Sequence, residues 1–337
     1  MCHRFLVTAV ACPAARVWGR ELGHFGVYSR PAPGDTPLES PRMIHFCVVH
    51  WKNALWIRRQ LRHIAAYTKG DYRILCLHTD LDGPIPEDDH LGFCEETQIR
   101  EHAVKLDILG FEACRQADSD DDILVFIDSD AFPVAPWEEA CLSQLDRHGL
   151  VAVQRLENLG DSQPHPCFCV TTVGFWRGIG GTWASGHKWR RTNGTKISDV
   201  GGNLAKHLDR ADVNWKPLLR SNAHDPHPLW FGVYGDIVYH HGAGSRGRLS
   251  HFDRDRIARL VRRDHPVRFT AQDLLLRLSG RNRLTRLRRA LHPRDHENAL
   301  LDAEEARLTT LSESIEAAAE DGLLTPSILD DILREAT

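Results

Sequence analysis

The sequence has no apolar run approaching the roughly 18 residues that a membrane-crossing helix requires, which excludes a helical span. It has no strong excess of either charge. Its 42 lysines and arginines face 46 acids, a net of -4, so the bulk charge calls for no nucleic acid or other charged partner. It also lacks the paired spacing of a disulfide framework. The 9 cysteines are odd in number, and several fall inside apolar stretches, where a reduced thiol behaves as a small hydrophobe. That usage predicts a reducing compartment. Cys167 and Cys169 lie near His165, but C-x-C with no second pair is a poor zinc motif.

What is present is an alternation of strand and helix patterns. Residues 30–42 hold four prolines and read as a linker, so residues 1–42 are expected to be a poorly ordered extension, with Met43 as an alternative start. The short apolar stretch from Phe5 to Cys12 is a weak signal-like or lipid-attachment feature. Strands are predicted over 44–49, 72–77, 123–127 and 150–153. Helices are predicted over 55–67, with Arg58, Arg59 and Arg62 facing out, and over 103–116 and 137–147. This order predicts a mostly parallel sheet flanked by helices. Ligands in such sheets bind beyond the carboxyl ends of the strands, where Asp80, Asp82, Asp128 and Asp130 fall.

From residue 249 onward the chain is predicted to be helical, first basic and then acidic. Residues 246–294 hold fifteen arginines against four aspartates, and residues 295–337 twelve acids against two arginines. Two helical segments with facing opposite charges would explain this. So would a basic face on an anionic membrane surface. No recognised nucleic-acid module surrounds the arginines.

The most informative residues are Asp128-Ser129-Asp130, directly after the apolar run Ile123–Ile127. Two carboxylates one residue apart are badly placed for a core. They suit a hard divalent cation, Mn²⁺ or Mg²⁺, held against phosphate oxygens. A solvated loop with helix-capping acids is the alternative. Further along, Tyr234–Arg246 combines His240, His241, glycines and Arg246, which could supply one imidazole ligand and phosphate contacts. Strand register decides which histidine points inward, and His240 lies on the face opposite Tyr239 and His241. Asp199 opens a predicted helix, as an N-cap or as a general base. The stretch from His165 to Trp176, with Trp183, Trp189 and Trp230, reads either as a sugar-binding wall or as core packing.

In this order the parts resemble a nucleotide-sugar glycosyltransferase of the GT-A fold, D-x-D containing and family 2-like. The resemblance covers about residues 43–248, leaving 249–337 as a helical C-terminal region. It implies a metal-dependent transfer of a sugar from a nucleoside diphosphate to an acceptor hydroxyl. Asp128 and Asp130 match the D-x-D, Gly174 loosely matches the glycine segment at the donor sugar, Asp199 the acidic base, and His240 or His241 the late metal ligand. By the same resemblance Asp80 lies near the base or ribose and Lys105 near the pyrophosphate. The implied cofactor is Mn²⁺ or Mg²⁺. The implied partners are a nucleotide-sugar donor and a glycan, lipid-linked or small-molecule acceptor. The expected location is cytoplasmic, with peripheral contact at the inner membrane face through the Arg-rich helices. The chain departs from the family at His50-Trp51-Lys52-Asn53 and in having Ser-Asp-Val in place of a Glu-Asp pair, so the stereochemical outcome stays open. The other readings are a phosphatase-type hydrolase with Asp128 as nucleophile and a non-catalytic nucleotide-sugar-binding protein.

Overall fold

The first strand, β1 (Ile44–Trp51), is buried along nearly its whole length. Phe46 and Val48 enter one apolar cluster and Cys47 and Val49 another, so the strand is covered on both faces and needs a near-continuous apolar run. It belongs to a computed structural model that describes residues 42–336 apart from 243, 245–246, 279–291 and 321–323, and apart from the side chains of 275–278. The expected extension over 1–42 therefore falls almost wholly outside the described residues.

Along the chain follow α1 (Leu55–Tyr67), β2 (Tyr72–Thr79), β3 (Leu91–Glu96), α2 (His102–Gln116), β4 (Ile123–Asp128) and β5 (Ala131–Pro133). Next come α3 (Glu138–His148), β6 (Leu150–Val153), β7 (His165–Thr172), α4 (Val173–Gly178), β8 (Trp189–Arg190) and β9 (Lys196–Ile197). Then follow α5 (Gly202–Arg210), β10 (Lys216–Leu218), β11 (Gly232–Tyr234) and β12 (Val238–His240). The C-terminal helices are α6 (His251–Asp264), α7 (Pro266–Leu278), α8 (Arg294–Glu320) and α9 (Pro326–Glu335).

The main sheet has 7 strands in the order β10-β6-β7-β4-β1-β2-β3. It is parallel except for β7, which runs antiparallel to both β4 and β6. α1 and α3 cover one face through Ile57, Leu61, Ile64, Cys141 and Leu145. The other face is covered by α2, α4 and α5 through Leu106, Leu109, Trp176 and Leu204. This is the mostly parallel, helix-flanked architecture expected from the sequence. A smaller sheet, β11-β12-β5, grows from the end of β4, so Asp128-Ser129-Asp130 forms the turn between the two sheets.

The described residues from 42 onward form one compact unit, and α8 and α9 pack onto the small sheet. Leu308, Leu311, Ile315, Leu329 and Leu333 share a cluster with Trp56, Phe132, Val233 and Tyr239. Each such leucine contributes about 2 kcal/mol by burial. This packing corrects the expectation that Arg59 faces out. Arg59 is buried under α8, 3.2 Å from Glu316 and 3.4 Å from Glu320. Arg58 also pairs with Glu320. The acidic segment thus meets the arginines of α1 as well as Arg256 of the basic segment, which pairs with Glu304 at 2.7 Å. Cys167 and Cys169 are buried in clusters on opposite faces of the sheet, so they cannot converge on one metal.

Candidate metal and nucleotide site

Asp128 ends β4, and the chain turns at once into β5. Gln60 of α1 holds this turn at both ends, since its side-chain amide donates to the carbonyls of Asp128 at 2.8 Å and Ala131 at 2.7 Å. β12 lies antiparallel to β5 with His240 opposite Ala131, which sets His240 beside Asp130. Its Nε2 lies 3.5 Å from Asp130 Oδ1 and 3.9 Å from Asp128 Oδ2. Each of the three residues offers a ligand atom, and these atoms lie within 4.8 Å of one another.

The carboxylates are charged and held in place. Burial acts to raise the Asp128 carboxyl, but His102, His165 and His240 outweigh it and hold it at about 2. His102 Nε2 donates to Asp128 Oδ1 at 3.0 Å. At Asp130 burial is likewise opposed, here by His240, the Gly244 N–H and His241, which keep the carboxyl well below its ordinary value. The Gly244 N–H donates to Asp130 Oδ2 at 3.0 Å. A Cβ at Gly244 would stand 2.7 Å from both Asp130 Cβ and Trp56 Nε1, so only glycine permits this approach. Two ionised carboxylates and one imidazole fit Mn²⁺ or Mg²⁺ better than a thiophilic metal.

The structure spreads the other expected residues more widely. His241 faces away from the group, as alternation along β12 requires. Its Nδ1 meets the Tyr239 hydroxyl at 2.8 Å and its Nε2 the Ser312 hydroxyl at 2.9 Å. His240, and not His241, therefore joins the two aspartates. Asp80 follows β2 at the same sheet end, exposed and with a left-handed φ of 53°. Lys105 is buried, its Nζ donating to Thr79 Oγ1 at 3.1 Å, and burial lowers its pKa. Asp199 is exposed three residues before α5, its Oδ1 accepting from the Val200 N–H at 2.8 Å, so it is not the N-cap, which is Gly201. A Cβ on Gly201 would come within 2.3 Å of the Pro164 carbonyl, next to His165, whose ring lies 5.8 Å from that of His240.

Gly174 requires a correction. Because β7 runs antiparallel to β4, pairing Thr172 with Ile123, Gly174 sits at the far end of the sheet. Its N–H donates to the Asp120 carbonyl at 2.8 Å, and a Cβ there would meet Asp120. The length of β4, about 17 Å at roughly 3.3 Å per residue, separates it from Asp128. Gly174 is a packing residue, not a donor contact. Arg246 lies outside the described residues. Sequence reasoning missed His102, Gln60 and Gly244. Of these only the glycine-rich run gave a signal.

No protein-family model and no curated protein matches this sequence. Solved structures of glycosyltransferases do show similarity. The mannosyltransferase PcManGT from Pyrobaculum calidifontis, solved with GDP-Man and Mn²⁺, is 15% identical over 90% of this chain and 90% of its own, with a TM-score of 0.41. The galactosyltransferase LgtC, solved with donor and acceptor sugar analogues, is 14% identical over 39% of this chain and 59% of its own, with a TM-score of 0.26. Glucosyl-3-phosphoglycerate synthase from Mycobacterium tuberculosis, solved with phosphoglyceric acid, is 15% identical over 52% of this chain and 69% of its own, with a TM-score of 0.32. At these scores the similarities assign no activity, donor or acceptor.

Proposed function

We propose that this protein is a divalent-metal-dependent glycosyltransferase that moves a sugar from a nucleoside diphosphate to an acceptor hydroxyl. The observation that carries this reading is the convergence of Asp128, Asp130 and His240 at the carboxyl end of the central strand. That is where parallel sheets of this kind bind ligands. Asp128, Asp130 and His240 would hold the metal, which would supply neutralisation of charge on a departing diphosphate. Asp80 and Lys105, at the end of β2 two strands from β4, are the proposed contacts to the base or ribose and to the pyrophosphate, and Arg246, six residues beyond His240 in the sequence, is a proposed phosphate contact. Only one of the three ammonium donors of Lys105 is taken by Thr79. Asp199 is the proposed base for the acceptor.

A thermal-shift screen of nucleoside diphosphates and nucleotide sugars, each with and without Mn²⁺, tests the reading. A ligand at a hundred times its Kd stabilises by about 2.7 kcal/mol. In a chain of this size that is a rise of about 5 °C, expected only when nucleotide and Mn²⁺ are both present. No rise with any nucleotide, together with phosphate release from a simple phosphomonoester, would favour the hydrolase reading.

Peripheral contact with an anionic lipid surface through the Arg-rich helices is proposed as well, the acceptor being a glycan, a lipid-linked sugar or a small molecule. No described helix is long and apolar enough to cross a membrane. Yet α6 and α7 expose Arg254, Arg259 and Arg268 together with Val267 and Leu274. The protein should sediment with phosphatidylserine-containing vesicles and not with pure phosphatidylcholine. Each basic residue near such a surface contributes about 1 kcal/mol, so Arg259→Ala with Arg268→Ala should weaken binding about thirtyfold. Equal sedimentation with both vesicle types would rule the surface out.

A further inference from the structure

We infer that α8 is a positioning element of the metal site, acting on Asp130 through Ser312, His241, Trp56 and Gly244. The inference rests on the metal reading of Asp128, Asp130 and His240. The hydrogen-bond polarity of the chain follows from donor counting. The Ser312 hydroxyl has one proton and gives it to Glu316 Oε1 at 2.6 Å. It must therefore accept from His241, which carries its proton on Nε2. Nδ1 is then the acceptor, and the Tyr239 hydroxyl donates to it. All of these groups are buried except Glu316, which is partly so, and the ring of His241 is held at both nitrogens.

From this anchored ring two routes reach Asp130. The backbone N–H of His241 donates to the Asp130 carbonyl at 2.9 Å. The His241 ring also packs against Trp56 at 4.7 Å, and Trp56 Nε1 donates to the Gly244 carbonyl at 3.1 Å. The Gly244 N–H occupies Asp130 Oδ2, which turns Oδ1 toward His240. Glu316 closes the circuit from the other side, since it pairs with Arg59, whose guanidinium lies 4.9 Å from the Trp56 ring centroid. Residues of a helix, Ser312 and Glu316, more than 180 positions downstream of Asp130 thus set which carboxylate oxygen faces the metal position. The oxygen that Gly244 occupies is withdrawn from it. Groups that orient metal ligands in this way typically matter by 10–100-fold in metal affinity.

The test measures Mn²⁺ binding to the full chain, without nucleotide, by calorimetry and by the electron paramagnetic resonance signal of free Mn²⁺. Trp56→Phe keeps the ring and removes the donor to Gly244. Ser312→Ala removes the acceptor of His241. Each should raise the Mn²⁺ Kd about tenfold, and Ser312→Thr, which keeps a hydroxyl, should restore it. Leu329→Ala is the control. It thins the same apolar cluster without touching the polar chain, so it should lower the melting temperature and leave the Mn²⁺ Kd unchanged. Unchanged Mn²⁺ affinity in both test variants would overturn the inference, as would a loss in Leu329→Ala that matches theirs. If the unmodified protein binds no Mn²⁺, it is the metal reading that fails, and that result is separable from a failure confined to the variants.

Discussion

Asp130→Ala should abolish Mn²⁺-dependent nucleotide binding and lower sugar transfer by at least about a thousandfold. A metal ion contributes several kcal/mol of charge stabilisation in a transition state, and about 1.36 kcal/mol is tenfold in rate. Asp130 presents its Oδ1 beside His240 Nε2 while the Gly244 N–H holds its Oδ2. Removal of the side chain deletes a ligand and also leaves the Gly244 N–H without its partner, so some thermal stability will be lost. Asp130→Asn separates the two effects. The amide oxygen can still accept from Gly244 but brings no negative charge to the metal. Asn should keep most of the melting temperature and still lose metal-dependent binding. Calorimetry with a nucleoside diphosphate, with and without Mn²⁺, reads both variants. Unchanged Mn²⁺-dependent binding in Asp130→Ala would end the glycosyltransferase reading.

The sequence made this turn legible because five consecutive apolar residues, two of them isoleucine and one valine, precede Asp128, and so short a β-branched run suits a strand covered on both faces. Alternation along β12 likewise separated His240 from Tyr239 and His241, since neighbours on a strand point to opposite faces. Strand direction was not legible. The residues of β7 are as apolar and as β-branched as those of a parallel strand, and nothing local records that the chain enters it reversed. That reversal carried Gly174 to the wrong end of the sheet. Contacts of long sequence separation were hidden for a related reason. Gln60 and Asp128 are 68 residues apart, and a glutamine inside an amphipathic helix looks the same whether it faces water or clamps a turn. Arg59 read as a surface residue because α8, which buries it, comes more than 200 residues later. Charge counting showed that the C-terminal segments are opposite in sign. It could not show that Glu316 and Glu320 would meet α1.

Asp199→Asn should leave donor and Mn²⁺ binding intact and lower transfer by about 10²–10⁴-fold, the range that positioned proton transfer contributes. The residue suits so clean a test. It is exposed, and its Oδ1 accepts a single backbone N–H, from Val200, which an asparagine oxygen also accepts. Substitution at such a surface position usually changes stability by no more than about 0.5 kcal/mol, so a fall in transfer cannot be charged to unfolding. Asp199 is not among the three residues whose ligand atoms converge, so nucleotide affinity measured with Mn²⁺ should match that of the unmodified protein. The position has a mechanical reason. Gly201, two residues on, adopts a left-handed φ of 84° where a Cβ would strike the Pro164 carbonyl, so glycine lets the loop lie close to the residue just before the strand that carries His165. A general base in this reaction takes the acceptor's proton as the acceptor attacks from the side opposite the departing diphosphate, which inverts the anomeric centre. The anomeric configuration of the product, read by proton coupling constants, therefore tests the same assignment independently. Transfer within tenfold of the unmodified rate in Asp199→Asn, or a product that retains the donor's configuration, would remove Asp199 as the base.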